Sequence, residues 1–238
     1  MPGLGTIINT AAIIAGGLLG LLFKNLLTKS MEDTLLKASS VCVLFIGIGG
    51  AMQHMLKITD GALETSGSMM LIICFVLGSI TGELLDIEGA FERFGAWLRK
   101  KTHNESDTGF LSAFIHASLT VCIGAMAIVG SIQDGLLGDS SLLCAKAALD
   151  AVIILVMTAS MGKGCIFSAI PVALLQGGVT LLSRVLAPVF TEAAIANLSY
   201  TGSVMIFCVG LNLVWGKKIK VANLLPTLVF AVLYALVF

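Results

Sequence analysis

Charge is what this chain has least of. Asp, Glu, Lys and Arg make up 12% of its 238 residues, about half the 25% of an ordinary soluble domain. Hydrophobic residues make up 57% and the mean hydropathy is +1.02, which excludes a water-soluble globule. No basic stripe is present, which argues against nucleic acid as a partner. Soluble-type catalytic signatures are missing as well. There is no GxSxG, HExxH or GxxxxGK[ST], and no GxGxxG ahead of a helix, so neither an enzyme nor a cofactor is expected. The six cysteines (Cys42, Cys74, Cys122, Cys144, Cys165, Cys208) lie in apolar segments without CxxC or Cys/His spacing. A disulfide framework or a zinc site is therefore not expected. His54, His103 and His116 are scattered, without ligand spacing.

What the chain does have is repeated apolar runs near the length of a bilayer crossing, roughly 20 residues. Eight can be marked: 4–23, 34–54, 68–86, 110–130, 141–161, 164–187, 199–215 and 222–238. They lack the period-2 alternation of barrel strands, so all-α spans are predicted. With the N-terminus outside, the inside loops carry Lys24, Lys29, Lys37, Arg93, Arg99, Lys100, Lys101, Lys163, Lys217, Lys218 and Lys220. The outside loops carry only Lys57 and Arg184. This positive-inside bias predicts that both termini lie outside the cytoplasm.

Residues 1–238 read as one integral membrane domain. Within 87–109, Ile87, Phe91, Phe94 and Leu98 recur at helical spacing, with Arg93, Arg99, Lys100 and Lys101 beside them. That pattern predicts an amphipathic helix on the cytoplasmic surface, followed by a linker. A weak internal repeat is also visible. Ala15–Leu19 resembles Gln176–Thr180, and Ile46-Gly47-Ile48 resembles Val209-Gly210-Leu211. Spans one to three (1–86) would then match spans six to eight (164–238) with opposite orientation, around a central pair at 110–161. Inverted repeats are a common plan of secondary transporters. Gly16/Gly20 and Gly78/Gly82 have a spacing that permits close helix contact, and such faces make a homodimer plausible.

Two features carry the functional reading. The first is the stretch from Gly124 to Asp139, which contains Gly130, Gly135 and Gly138 together with Ser131, Gln133 and Asp134. Glycines weaken a helix by about 1 kcal/mol each. A broken helix here would offer bare backbone groups to an ion or solute. An ordinary turn, with Asp139 or Ser140 capping the next helix, is the alternative. The second feature is Lys146 and Asp150, which share one helix face at i,i+4. Lys146 could reach outward toward Asp134 or Asp139, whereas Asp150 lies near mid-span. Asp150 could pair with Lys146, stay neutral because burial disfavours charge, or carry H⁺ or Na⁺. Intramembrane ionisable residues are functional by default. Asn9, about two turns before Gly16-Gly17, and Gln176, directly before Gly177-Gly178, lie in matching halves as possible symmetric contributors.

Several of these residues carry a family resemblance. Gly124–Asp139, Lys146, Asp150, Ser168-Ala169-Ile170-Pro171 and Gln176-Gly177 take part. So do Thr201-Gly202, Gly210–Leu213 and Asn223–Pro226. The chain resembles the YqgA/YdfK-like family of bacterial inner-membrane proteins, catalogued as domain of unknown function 554. The resemblance implies a polytopic inner-membrane fold and names no substrate. Together the features predict a secondary transporter or channel-like permease for a small polar or ionic solute. Asp150, Lys146, Ser131, Gln133, Asp134, Asn9 and Gln176 would form its site. The alternative is a scaffold or sensor whose buried polar residues only hold helices together.

Overall fold

The structure is a computed structural model that describes residues 2–24, 26–59, 61–104, 107–123 and 125–237. The chain is helical nearly throughout. The first half contains α1 (Leu4–Lys24), α2 (Lys29–Met55), the hairpin β1 (Leu56–Thr59) and β2 (Ala62–Thr65), α3 (Ser68–Leu85) and α4 (Ile87–Lys101). The centre is α5 (Phe110–Cys122), α6 (Ala125–Leu137) and α7 (Ser141–Met161). A 3₁₀ turn (Lys163–Ser168) then leads into α8 (Ala169–Leu181), the short α9 (Ser183–Leu186) and α10 (Glu192–Trp215). A second 3₁₀ turn (Val221–Leu224) leads into α11 (Pro226–Val237).

Among the described residues six helical segments are long and apolar enough to cross a membrane: α1, α2, α3, α7, the Lys163–Leu181 unit and α10. A seventh crossing is supplied if α5 and α6 count as one span, bent by 61°. The apolar segment Val221–Val237 is shorter. These elements follow the apolar runs closely, with three differences. The run at 110–130 does not continue straight: α5 ends at Cys122 and α6 starts at Ala125. The tenth helix starts at Glu192 rather than near 199, because the Thr191 hydroxyl accepts the Ala194 N–H at 3.2 Å and caps it earlier. A small hairpin fills the loop after α2. Its register pairs Thr59 with Ala62, and Gly61 beside Ala62 takes a positive φ of 80°, which suits a tight hairpin connection.

Glycine contacts give the directions of the helices. A Cβ on Gly16 would stand 2.3 Å from the Ala151 carbonyl oxygen, and one on Gly20 2.5 Å from that of Leu155. The helices α1 and α7 therefore run parallel with touching backbones. The same construction places Gly78 against Thr227 and Gly82 against Asn223, so α3 and α11 run antiparallel. The small-residue faces that made a homodimer plausible are thus occupied within the chain. Gly164, just beyond α7, lies against Phe110, and Gly130 against Leu143, so α5 begins near the end of α7 and α6 lies beside its start.

The contact between α2 and α10 is reciprocal. A Cβ on Gly47 would meet the backbone nitrogen of Phe207 at 2.5 Å, and one on Gly210 would meet Leu44 Cγ at 2.8 Å. Gly47 and Leu44 stand in the same register to each other as Gly210 and Phe207. The same spacing relates Ser40, whose Oγ donates to Leu36 O at 2.6 Å, to Ser203, whose Oγ donates to Ser199 O at 2.7 Å.

At the centre sits α5. Phe110, Ala113–Leu119 and Val121 are all buried, as expected of a helix surrounded by protein rather than lipid. The α4 helix takes the form its spacing predicted. Ile87, Phe91 and Phe94 pack on the core and Leu98 is buried. Phe94 stacks on Trp97 with ring centroids 5.9 Å apart.

Candidate functional site

The i,i+4 pair forms as its spacing requires. Lys146 Nζ donates to Asp150 Oδ2 at 2.5 Å, and both side chains are buried. The lysine does not reach outward to Asp134 or Asp139. It turns inward, and Nζ also donates to the Val121 carbonyl at 2.8 Å. Val121 lies in the last turn of α5, where carbonyls lose their intrahelical partner. The broken span thus frees a backbone acceptor, and a buried ammonium occupies it. From the neighbouring helix, Asn9 Nδ2 donates to Asp150 Oδ2 at 3.0 Å. Asp150 lies nine residues beyond Ser141, about 13 Å along the axis at 1.5 Å per residue. That depth is close to the middle of a ~30 Å hydrocarbon core.

The glycine-punctuated stretch is placed differently from the expectation. Within the described residues, Ala125–Leu137 is helical, so Gly130 and Gly135 do not break it. They allow close approach instead: Gly130 lies against Leu143, and Gly135 against Thr180 and Ser183. The interruption comes earlier, after Ile123, and Gly124 lies outside the described residues. Ser131 donates to the Ala127 carbonyl at 2.6 Å, so its hydroxyl is already satisfied. Gln133 is half-buried on the same helix. Asp139 accepts the Ser141 N–H at 3.0 Å, the capping role that was the alternative reading of the loop.

Asp134 is the unexpected residue. It is fully buried, and Oδ2 accepts the Gly5 N–H from the first turn of α1 at 3.0 Å. Its other oxygen, Oδ1, has no partner. Gln176 is 1% exposed, and neither its amide nitrogen nor its amide oxygen is bonded. The hydroxyls of Thr6 and Thr180 are buried without partners as well. Thr6 and Thr180 were not singled out from the sequence. Single threonines at helix ends carry no pattern, and their significance comes only from what faces them.

These groups lie on three adjoining helices. Gly5 of α1 meets both Asp134 and Leu143, Gly177 of α8 lies beside the Thr6 methyl, and Gly135 of α6 meets the Thr180 carbonyl. The three helices border a cavity of about 390 Å³ whose walls include Thr6, Gly135, Gly177, Thr180, Ser183 and Arg184. The ion pair lies deeper, with Asn9 one turn inward from Thr6. A second, smaller cavity of about 220 Å³ opens on the other side of the bundle, between α4, α5 and α10. Glu88, His116 and Lys217 stand in its wall. Glu88 is held by the Ala222 N–H at 3.0 Å and by Lys217 at 3.0 Å. Among the described residues no group of three His, Cys, Asp or Glu could hold a metal ion.

The apolar helices define a helical membrane protein. The chain belongs to a protein family of unknown function (DUF554), whose pattern matches residues 4–236. It is similar to the uncharacterized membrane protein YdfK of Bacillus subtilis, at 27% identity over 94% of this chain and 92% of that protein. It is also similar to the uncharacterized protein YqgA of Escherichia coli, at 25% identity over 96% of this chain and 94% of that protein. No solved structure matches it.

Proposed function

We propose that this protein is a secondary transporter or channel-like permease for a small polar or ionic solute in the bacterial inner membrane. It crosses eight times, counting α5–α6 and Val221–Val237 as one crossing each, and both termini lie outside the cytoplasm. Its two three-helix units are inverted copies around α5–α6 and α7. The reciprocal Gly47/Phe207 and Gly210/Leu44 contacts support that arrangement. A two-fold axis between antiparallel copies makes residue i meet j′ while i′ meets j.

The observation that carries the reading is the interrupted crossing at the centre of the bundle. Its freed carbonyl and a buried carboxylate share one ammonium. Irregular backbone at membrane depth is tolerated only inside protein or along a cavity, and in transporters it forms the solute or ion site. Lys146 holds the Asp150 position as a tethered cation, and the solute path passes from the 390 Å³ cavity toward it.

One observation favours a second reading. Asp150 Oδ2 is saturated by Lys146 and Asn9, as a structural lock in a scaffold or sensor would be. Asp150→Asn tests the permease reading in proteoliposomes, assayed well below the variant's own Tm because unpairing Lys146 is itself destabilising. In a carrier, solute-driven charge displacement over a metabolite panel falls at least tenfold. If wild-type protein displaces no charge for any solute, or folded Asp150→Asn protein displaces as much as wild type, the permease reading is wrong.

A further inference from the structure

We infer that the polar groups around Asp134 form a binding site for a dehydrated alkali-metal cation, entered from the cavity between α1, α6 and α8. The inference deepens the permease reading by naming a coupling ion, and it rests on that reading for its role but not for its binding.

The argument begins with a charge that lacks a counter-charge. Asp134 is fully buried and receives a single backbone N–H, from Gly5. A buried carboxylate ordinarily pairs with a cation. The nearest lysine along these helices, Lys146, is committed to Asp150 and Val121. Arg184 stands in the cavity wall but is exposed, so its charge is largely screened by water and salt.

The surplus of oxygens then selects the ligand. Asp134 Oδ1, Gln176 Oε1, Thr6 Oγ1 and Thr180 Oγ1 are all buried and unbonded. They come from three adjoining helices: Gly5 of α1 stands beside the Asp134 carboxylate of α6, the Thr6 methyl lies 4.0 Å from the Cβ position of Gly177 in α8, and Gly135 of α6 stands against the Thr180 carbonyl of α8. Native proteins leave few buried polar groups unsatisfied, and four of those in this chain, one of them a carboxylate oxygen, fall on the adjoining faces of α1, α6 and α8. A proton on Oδ1 would satisfy one acceptor and leave the others bare. A hard cation draws on carboxylate, amide and hydroxyl oxygens together. The adjoining cavity, at about 390 Å³, gives it a route from water. One turn deeper, Asn9 has a free Oδ1 while its Nδ2 holds Asp150, so occupancy of the site is mechanically connected to the central ion pair.

The test uses the full chain in detergent, melted in NaCl or KCl against choline chloride at equal ionic strength. One alkali salt should raise Tm saturably, by about 3–5 °C at ten times its half-saturating concentration. Asp134→Asn should keep the choline-chloride Tm within a few degrees and lose the alkali-dependent rise. Should that variant not fold, Thr180→Val decides instead, and it should raise the half-saturating concentration at least fivefold. No alkali-specific rise in the wild type, or a rise undiminished in the variant that folds, overturns the site. Alkali binding by a protein that displaces no solute overturns the permease reading alone. Solute flux without alkali binding overturns the cation site alone.

Discussion

Replacing Lys146 with Met should be among the most damaging single changes in this chain, and the reason can be worked from the ion pair. Nζ lies 2.5 Å from Asp150 Oδ2, with the two side chains only 9% and 5% exposed. Removing one partner leaves a buried carboxylate without its counter-charge, at about 3–5 kcal/mol. A neutral hydrogen bond between membrane helices averages only about 0.6 kcal/mol. The measured loss therefore separates a true ion pair from a neutral contact by a wide margin. At roughly 2–4 °C per kcal/mol for a chain of this size, Tm should fall by about 6–20 °C. The double variant Lys146→Met/Asp150→Leu removes both charges and should recover most of the loss, since replacing a whole buried pair by apolar side chains is close to neutral. About 1–2 kcal/mol should remain missing, because Val121 O and Asn9 Nδ2 lose their partners. Far-UV circular dichroism of unfolding in mixed micelles supplies the four corners of the cycle. A Lys146→Met loss under 1 kcal/mol, or a double variant no more stable than both singles, would refute the reasoning.

Two further outcomes follow from the packing and the charge pattern. Gly47→Ala should destabilise by about 1–3 kcal/mol, since its Cβ would press on the Phe207 backbone at 2.5 Å. Gly49→Ala, two residues along the same helix, meets nothing within 4 Å and should gain up to about 1 kcal/mol of helix propensity; equal Tm values for the two variants would contradict the α2–α10 contact. In intact cells a membrane-impermeant maleimide should label Lys57→Cys directly but Lys100→Cys only after permeabilisation, and the reverse pattern would invert the assigned orientation.

Much of this architecture is legible because helices are local. The apolar runs fix where the crossings lie, the i,i+4 rule places Lys146 on Asp150, and the spacing of Ile87, Phe91, Phe94 and Leu98 yields α4 and its buried stripe. The interruption falls at the start of the glycine-punctuated stretch, between Cys122 and Ala125, rather than at Gly130 or Gly135, for a physical reason. Glycine lowers helix propensity, so a cluster of glycines reads as a weak point. Gly130 and Gly135 are instead pinned by tight contacts with Leu143 and Ser183, and tertiary packing overrides propensity there. Long-range partners have no local signal at all. The bond from Asn9 to Asp150 and the one from Gly5 to Asp134 each join residues more than 100 positions apart.

That difference reorders the candidate residues. Read along the chain, ionisable groups are ranked by depth, and Asp150 near mid-span outranks Asp134 near the end of α6. Read in three dimensions they are ranked by what remains unsatisfied, and the order inverts. Asp150 has an ammonium and an amide on one oxygen, while Asp134 is equally hidden and keeps a bare oxygen among three other unbonded polar groups. Desolvation is a cost that both carboxylates meet. Asp150 has a counter-charge within the chain, whereas Asp134 has one backbone N–H from Gly5, and the proposed cation is what would supply its counter-charge. A ligand binds where folding leaves such a deficit. The polar site beside the 390 Å³ cavity is therefore where cargo or coupling ion should first be sought, with the central pair as the element that responds to it.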